Sequence, residues 1–457
     1  MGLFHESMWS INNILNVLEF SSLQIDTFGK ECMLEQKHLF YYKDIVPIGP
    51  LGMVDDLLTI SECGYKTNLM NQYINVKTGT KRLQFGTSKC IKMHIGRDKC
   101  DILCKDLHVG GWKVEPITDP ETGKWSNVEY FNGYEKTEVK EKQTYLGDVL
   151  TNDGTHTKNV QQRSNKGLGT INEILQILES TYFGKFYFEI AMVLRESLFL
   201  SSLLLNAEAW VNYTEKDIRI LEQCDEILLS RILDCDGNTS NALKYLELGI
   251  IPVRFEVMRK KLGFLQYILK EDKSSMISKV LNATSDNPIK NDFVATCNKY
   301  LKTMDIECSF EEIEKMSKYS FKKMLKEKAK VAAFNYLTAQ KVKQNKIEDI
   351  SYSKLEMQTY LMDGDRDTRL AKLIFKARGQ TLDLKMQKRW KYGDTLCSGC
   401  RKNEETGEEI FECKSFGENS EKITYNWFFK EYSKQVIAAK VLTKKLKLRD
   451  KIREEVT

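Results

Sequence analysis

The stretch "PIGPLGMVDDLLTISECG", residues 47–64, sets two adjacent carboxylates, Asp55 and Asp56, inside an otherwise apolar run. Apolar β-formers flank the pair, so one reading is a hairpin with the acids at its tip, where Asp tolerates turn conformations and bonds its own backbone. A second reading starts a helix at Asp55 or Asp56, the side chain capping free N–H groups ahead of "LLTISEC". In a third, carboxylates on a rigid tip hold divalent metal ions, which polarise a phosphoryl oxygen and activate an attacking hydroxyl. The stretch alone leaves all three open, and its context has to weigh them.

Composition bounds that context. The 457 residues leave room for about three domains of usual size. With 42% hydrophobic and 29% charged residues, the chain reads as a folded, soluble protein. A net charge of +5 is only mildly basic and does not identify a nucleic-acid partner. Just 6 Pro and 26 Gly, beside abundant Leu, Lys and Glu, favour helices over a sandwich or barrel. The expected class is therefore α+β, predominantly helical. "MGLFHESMWS" lacks the basic start and apolar core of a secretory signal. The most apolar segment, residues 186–210, is interrupted by Glu189, Arg195, Glu196 and Glu208, which predicts a buried helix or helix pair and no membrane span. An intracellular location, nuclear or cytoplasmic, is expected, and the 12 scattered cysteines read as reduced thiols.

Periodicity divides the chain further. Residues 1–23 read as a short apolar helix, and Gly and Pro at 47–52 announce the hairpin region. Leu69, Met70, Tyr73 and Ile74 follow helical spacing, and "SKCIKMHIG" alternates as a strand with Ile91, Met93 and Ile95 on one face. The polar stretch 106–143 reads as an extended loop or hairpin excursion, followed by a short strand and a turn at Asp153-Gly154. From 156 onward the pattern is helical. The Lys- and Glu-rich segment 270–350 predicts solvated helices with weak burial.

Five strings, taken in order, carry a resemblance: "GMVDDLLTISECG" (52–64), "LQFGTSKCIKMHIG" (83–96), "YLGDVLTNDG" (145–154), "LLLNAEAW" (203–210) and "LELGIIPVRFEVMRKKLGFLQYIL" (246–269). Together they resemble the reverse transcriptase of non-LTR retrotransposons, from about residue 24 to 270 and more loosely to 413. The resemblance implies a partial palm over 24–155 and a helical thumb over 156–270; composition adds a charged helical region over 271–390 and a Cys-cluster with a basic helix over 391–457. It implies that Asp55 and Asp56 coordinate magnesium at a palm hairpin tip, with an RNA template, a DNA primer and deoxynucleotides as partners. Lys89 would assist the leaving pyrophosphate; the alternative is a lysine on a strand edge. Such polymerases need a third carboxylate well upstream of the Asp-Asp box, and Glu6, Glu19, Asp26, Glu31, Glu35 and Asp44 do not lie in that pattern. The expectation is a truncated polymerase, inactive alone. The alternatives are a non-catalytic nucleic-acid binder and a non-functional retroelement-derived fragment.

Two further features concern ligands. In a thumb, Arg163, Lys166, Arg254, Arg259, Lys260 and Lys261 would face the minor groove of a template-primer duplex, reading shape and phosphates. "CSGCRKNEETGEEIFEC" places Cys397 and Cys400 at zinc-knuckle spacing, with Cys413 beyond them. Related elements carry a histidine four positions before the last cysteine; here that position is Glu409, leaving a Cys3Glu set for zinc. The last 24 residues hold eight bases and three acids, fitting either a nucleic-acid contact or an exposed end.

Overall fold

The acid-bearing stretch forms a hairpin. In the computed structural model β1 (Leu51–Met53) and β2 (Asp56–Leu58) pair antiparallel, with Met53 opposite Asp56. A helix does not start at Asp56, because its backbone belongs to a strand. The structure describes residues 51–53, 56–58, 90–93, 108–118, 125–136, 138–139, 141–145, 147–180, 183–237, 239–286, 292–342, 350–362, 368–418 and 423–456. Among these it is predominantly helical.

The chain forms two compact units, Met1–Asn159 with Trp210–Tyr213 and Tyr267–Asn298, and Val160–Ala209 with Thr214–Gln266 and Lys299–Thr457. The first holds the strands. The two-residue β3 (Ile91–Lys92) realises the predicted strand in part. The polar stretch is a hairpin excursion: β4 (His108–Thr118) pairs antiparallel with β5 (Trp125–Lys136), with a register shift between Gly110 and Trp112. The short β6 (Glu138–Val139) pairs parallel with β3. β7 (Lys142–Tyr145) and β8 (Asp148–Thr151) make a second tight hairpin. The predicted turn at Asp153-Gly154 follows it. Asp153 accepts from the Thr151 hydroxyl at 2.6 Å and the Thr155 amide at 2.9 Å, and the Thr151 bond leads the causes that lower its pKa.

The second unit is built on helices whose ends are written in the sequence. After α1 (Thr157–Ser180), the apolar segment forms α2 (Tyr187–Leu194), a π turn at Arg195–Phe199 and α3 (Leu200–Leu203). Phe188, Ala191, Met192, Phe199, Leu200 and Leu203 are buried, while Val193 is 62% exposed, so the segment is buried on one side. Arg195 gives Asp225 two bonds, at 2.7 and 2.5 Å, and a third to the Ile251 carbonyl at 3.1 Å, so the charge is paired inside the fold. No helix among the described residues is long and apolar enough to cross a membrane. α4 (Glu215–Leu233) starts with a capping box between Thr214 and Asp217. α5 (Asn241–Leu248), capped by Ser240, ends at Gly249 with φ +65°. A Cβ at Gly249 would lie 2.1 Å from the backbone of Glu356 and Met357, so this closure accepts glycine alone. α6 (Val253–Lys270) then follows Pro252.

The region expected to have weak burial packs more firmly than its charge suggests. After α7 (Met276–Asp286), α8 (Phe293–Thr303) and α9 (Phe310–Lys315) comes α10 (Lys318–Val342), which buries Phe321, Leu325, Ala329, Ala333 and Leu337 on one side. α11 (Thr359–Met362) and α12 (Thr368–Arg378) bring Tyr360 and Arg378 onto the buried Glu247, with bonds of 2.9 and 2.8 Å. The C-terminal part adds α13 (Arg389–Tyr392), α14 (Gly407–Glu412) and the long α15 (Tyr432–Val456).

Candidate metal centre

Two short segments build the site. In the first, Cys397 and Cys400 sit on a turn closed by bonds from the Cys397 amide to the Asn403 carbonyl (2.8 Å) and from the Arg401 amide to the Cys397 carbonyl (3.0 Å). Gly399 is required by close approach, since a Cβ there would meet the Ser415 Cβ at 2.7 Å. Amides of the turn face the sulfurs: those of Gly399 and Cys400 face Cys397, and that of Lys402 faces Cys400 at 3.5 Å. In the second segment the Thr406 hydroxyl caps α14, accepting from the Glu409 amide at 3.2 Å. One helical turn later the Cys413 amide bonds the Glu409 carbonyl at 2.8 Å, so Glu409 and Cys413 lie together at i and i+4.

The ligand atoms of Cys397, Cys400, Glu409 and Cys413 all lie within 4.8 Å of one another, and this group can hold a metal ion. The Cys397 and Cys413 sulfurs are 3.7 Å apart, and the Cys400 sulfur is 3.2 Å from Glu409 Oε1. Metal–sulfur bonds of about 2.3 Å and metal–oxygen bonds of about 2.1 Å in a tetrahedron place two sulfurs about 3.8 Å apart, and a sulfur about 3.6 Å from an oxygen. These two pairs lie close to that spacing, and the remaining ligand atoms lie within 4.8 Å. Cys397, Cys413 and Glu409 are buried and Cys400 half-buried. Burial is the main cause that pushes the Cys397 thiol up to about 12, with the neighbouring Cys413 acting in the same direction and the turn's amides opposing both.

A surrounding layer fixes these donors. Asn403 Nδ2 donates to Glu409 Oε2 at 2.8 Å, leaving Oε1 directed at Cys400. Glu405, 0% exposed, accepts from the Ser398 amide at 2.9 Å, from the Ser398 hydroxyl at 2.5 Å and from the Arg453 guanidinium. Arg449 lies 3.8 Å from the same carboxylate. The loop between Cys397 and Cys400 is thus tied to α15. Lys445 of α15 is buried, with Nζ donating to the Gly417 carbonyl at 2.9 Å. Burial lowers its pKa, and the nearby Cys413 works against that shift. Asn403, Glu405 and Ser398 are missing from the sequence reading because only tertiary contacts mark them out, and Lys445 enters it only as one of the eight bases of the C-terminal stretch.

Asp55 and Lys89 lie outside the described residues, as does the side chain of Asp56. Of the thumb cations, Arg163 is 1% exposed and Lys261 0%, the latter donating to the Glu208 carbonyl at 3.2 Å. Arg254 is bidentate to Glu222, at 2.6 and 3.0 Å, beneath the Tyr336 ring. Arg259 holds Glu256 at 2.6 Å, and Lys260 donates to the Leu204 carbonyl at 3.2 Å. Lys166 is the one of the six that stands exposed. Most of the charge of this set is used within the second unit. Comparison with known protein families, curated proteins and solved structures gave no match.

Proposed function

We propose that Cys397, Cys400, Glu409 and Cys413 hold a structural zinc ion that fastens the loop 394–413 to the C-terminal helix. The observation carrying this reading is the convergence of three sulfurs and one carboxylate oxygen within 4.8 Å. Four protein donors close a tetrahedron and leave no place for a reacting water, which is what separates structural from catalytic zinc. Zinc would supply cross-linking and charge balance. Its four anionic ligands outweigh its charge by about two, so the ammonium of Lys445 has a role beside Cys413. Full-length protein purified with zinc should retain about one equivalent through gel filtration, and the Cys397→Ser, Cys413→Ser double variant should release it. Retention by the double variant would remove this site from consideration.

A second reading concerns the whole chain. It is a relative of the non-LTR retrotransposon reverse transcriptases that binds nucleic acid and does not polymerise by itself. The supporting observation is the antiparallel pairing of Leu51–Met53 with Asp56–Leu58, the second strand beginning at Asp56 of the acid box. Two-metal nucleotide addition needs carboxylates that bridge both ions. These 457 residues offer Asp55 and Asp56 without the third in its expected place. Primer extension with magnesium or manganese should therefore give no product; extension that Asp55→Asn abolishes would contradict this reading.

A further inference from the structure

The sequence of α10 carries seven lysines and one acid, Glu327. Its buried ridge, Phe321, Leu325, Ala329, Ala333 and Leu337, advances by four residues at each step. Lys318, Lys322, Lys326 and Lys330 advance by the same step on the outside, and all four are exposed. Successive members stand about 6 Å apart along the axis. None of the four makes an ion pair among the described residues. Lys328 differs from them: it is tied to Asp305, at 2.5 Å to the carbonyl and 3.1 Å to the carboxylate.

Local structure does not call for this row. Lysine opposes the helix dipole at the N-terminal end, and the first turn of α10 contains no acid to offset it. The positive end of the dipole therefore adds to the field of the lysines. Tyr319, 78% exposed, stands three and four residues from Lys322 and Lys323, a spacing that puts the ring on the same helix surface as the ammonium groups.

We propose that this face of α10 binds single-stranded nucleic acid, with the lysine row following the phosphates and Tyr319 offering its ring to an unpaired base. Cations in a line with an exposed aromatic beside them are the chemistry of sequence-tolerant strand binding. An anionic membrane fits less well. A helix lying in a bilayer surface needs a free apolar face, and that of α10 is buried in the second unit. The inference rests on exposure and charge alone and stands whether or not the chain is polymerase-related.

Binding of full-length protein to a labelled oligouridylate of about 20 nucleotides, measured by anisotropy between about 50 and 200 mM salt, tests it. Each neutralised lysine should flatten the plot of log affinity against log salt by about 0.7, so combining Lys318→Gln, Lys322→Gln, Lys326→Gln and Lys330→Gln should remove about 3 units of slope. The fourfold arginine variant should keep the slope. Tyr319→Ala should weaken binding about 5- to 100-fold with the slope unchanged. The single Lys326→Gln variant, with a slope change of about 0.7, serves if the fourfold glutamine variant does not fold. An unchanged slope in a glutamine variant whose thermal unfolding matches the parent, or unchanged affinity in Tyr319→Ala, would overturn the proposal. So would parent protein that binds phosphatidylserine vesicles and not the oligonucleotide.

Discussion

Glu409 accepts from Asn403 on one oxygen and faces Cys400 with the other, so the carboxylate is oriented before any metal arrives. Ligands held in this way bind more tightly than free ones, and loss of an outer partner usually costs about 10- to 100-fold in metal affinity. Asn403→Ala should therefore weaken zinc binding by at least about 10-fold in a chelator competition, while a substitution at the exposed Lys402 should leave it unchanged. Protons compete for the same donors. Burial raises the pKa of Cys397 to about 12, so its thiol stays protonated at neutral pH until metal displaces the proton. Zinc affinity should accordingly rise with pH across about pH 6 to 8, and a flat profile would show that the ligands are already deprotonated. Cys397 and Cys400 are legible from their two-residue gap, and Glu409 with Cys413 through the resemblance, whose members carry a histidine four positions before the last cysteine. Glu405 is not. It is one of five glutamates between 404 and 412, and only its contacts with Ser398, Arg449 and Arg453 distinguish it.

Elements in the second unit are joined by buried charges, and these are where single changes should cost most. Glu405 links the cysteine turn to α15, so Glu405→Gln would leave Arg449 and Arg453 without their buried counter-charge. Removing one partner of such a group typically costs about 3 to 5 kcal/mol, and a loss of about 3 kcal/mol in chemical denaturation is expected, because Arg453 keeps some exposure. Gly249 closes α5 against the backbone of Glu356 and Met357. Gly249→Ala combines the strain of a left-handed alanine with a clash that neither backbone can relieve, and should cost at least about 2 kcal/mol. The sequence does not reveal the neighbour that demands glycine at this helix end, which lies over a hundred residues away in the chain. The partners of the α6 cations are hidden from the sequence in the same way. Arg254 finds Glu222 across 32 residues, and helical periodicity alone does not distinguish a paired arginine from one that waits for phosphate.

Across the whole molecule, composition predicts the predominantly helical class, and the described residues bear it out. The hairpin at 51–58 was one of three open readings, and its pairing agrees with apolar β-formers that flank two acids. Where the compact units divide was not legible, since segments 210–213 and 267–298 join the N-terminal unit from within the helical region. The account depends most on the metal centre, and its coordination can be measured directly. X-ray absorption at the zinc edge of the full-length, zinc-loaded protein should show three sulfurs at about 2.3 Å and one oxygen at about 2.0 to 2.2 Å. A shell dominated by oxygen and nitrogen, or protein that folds without retaining zinc, would contradict it.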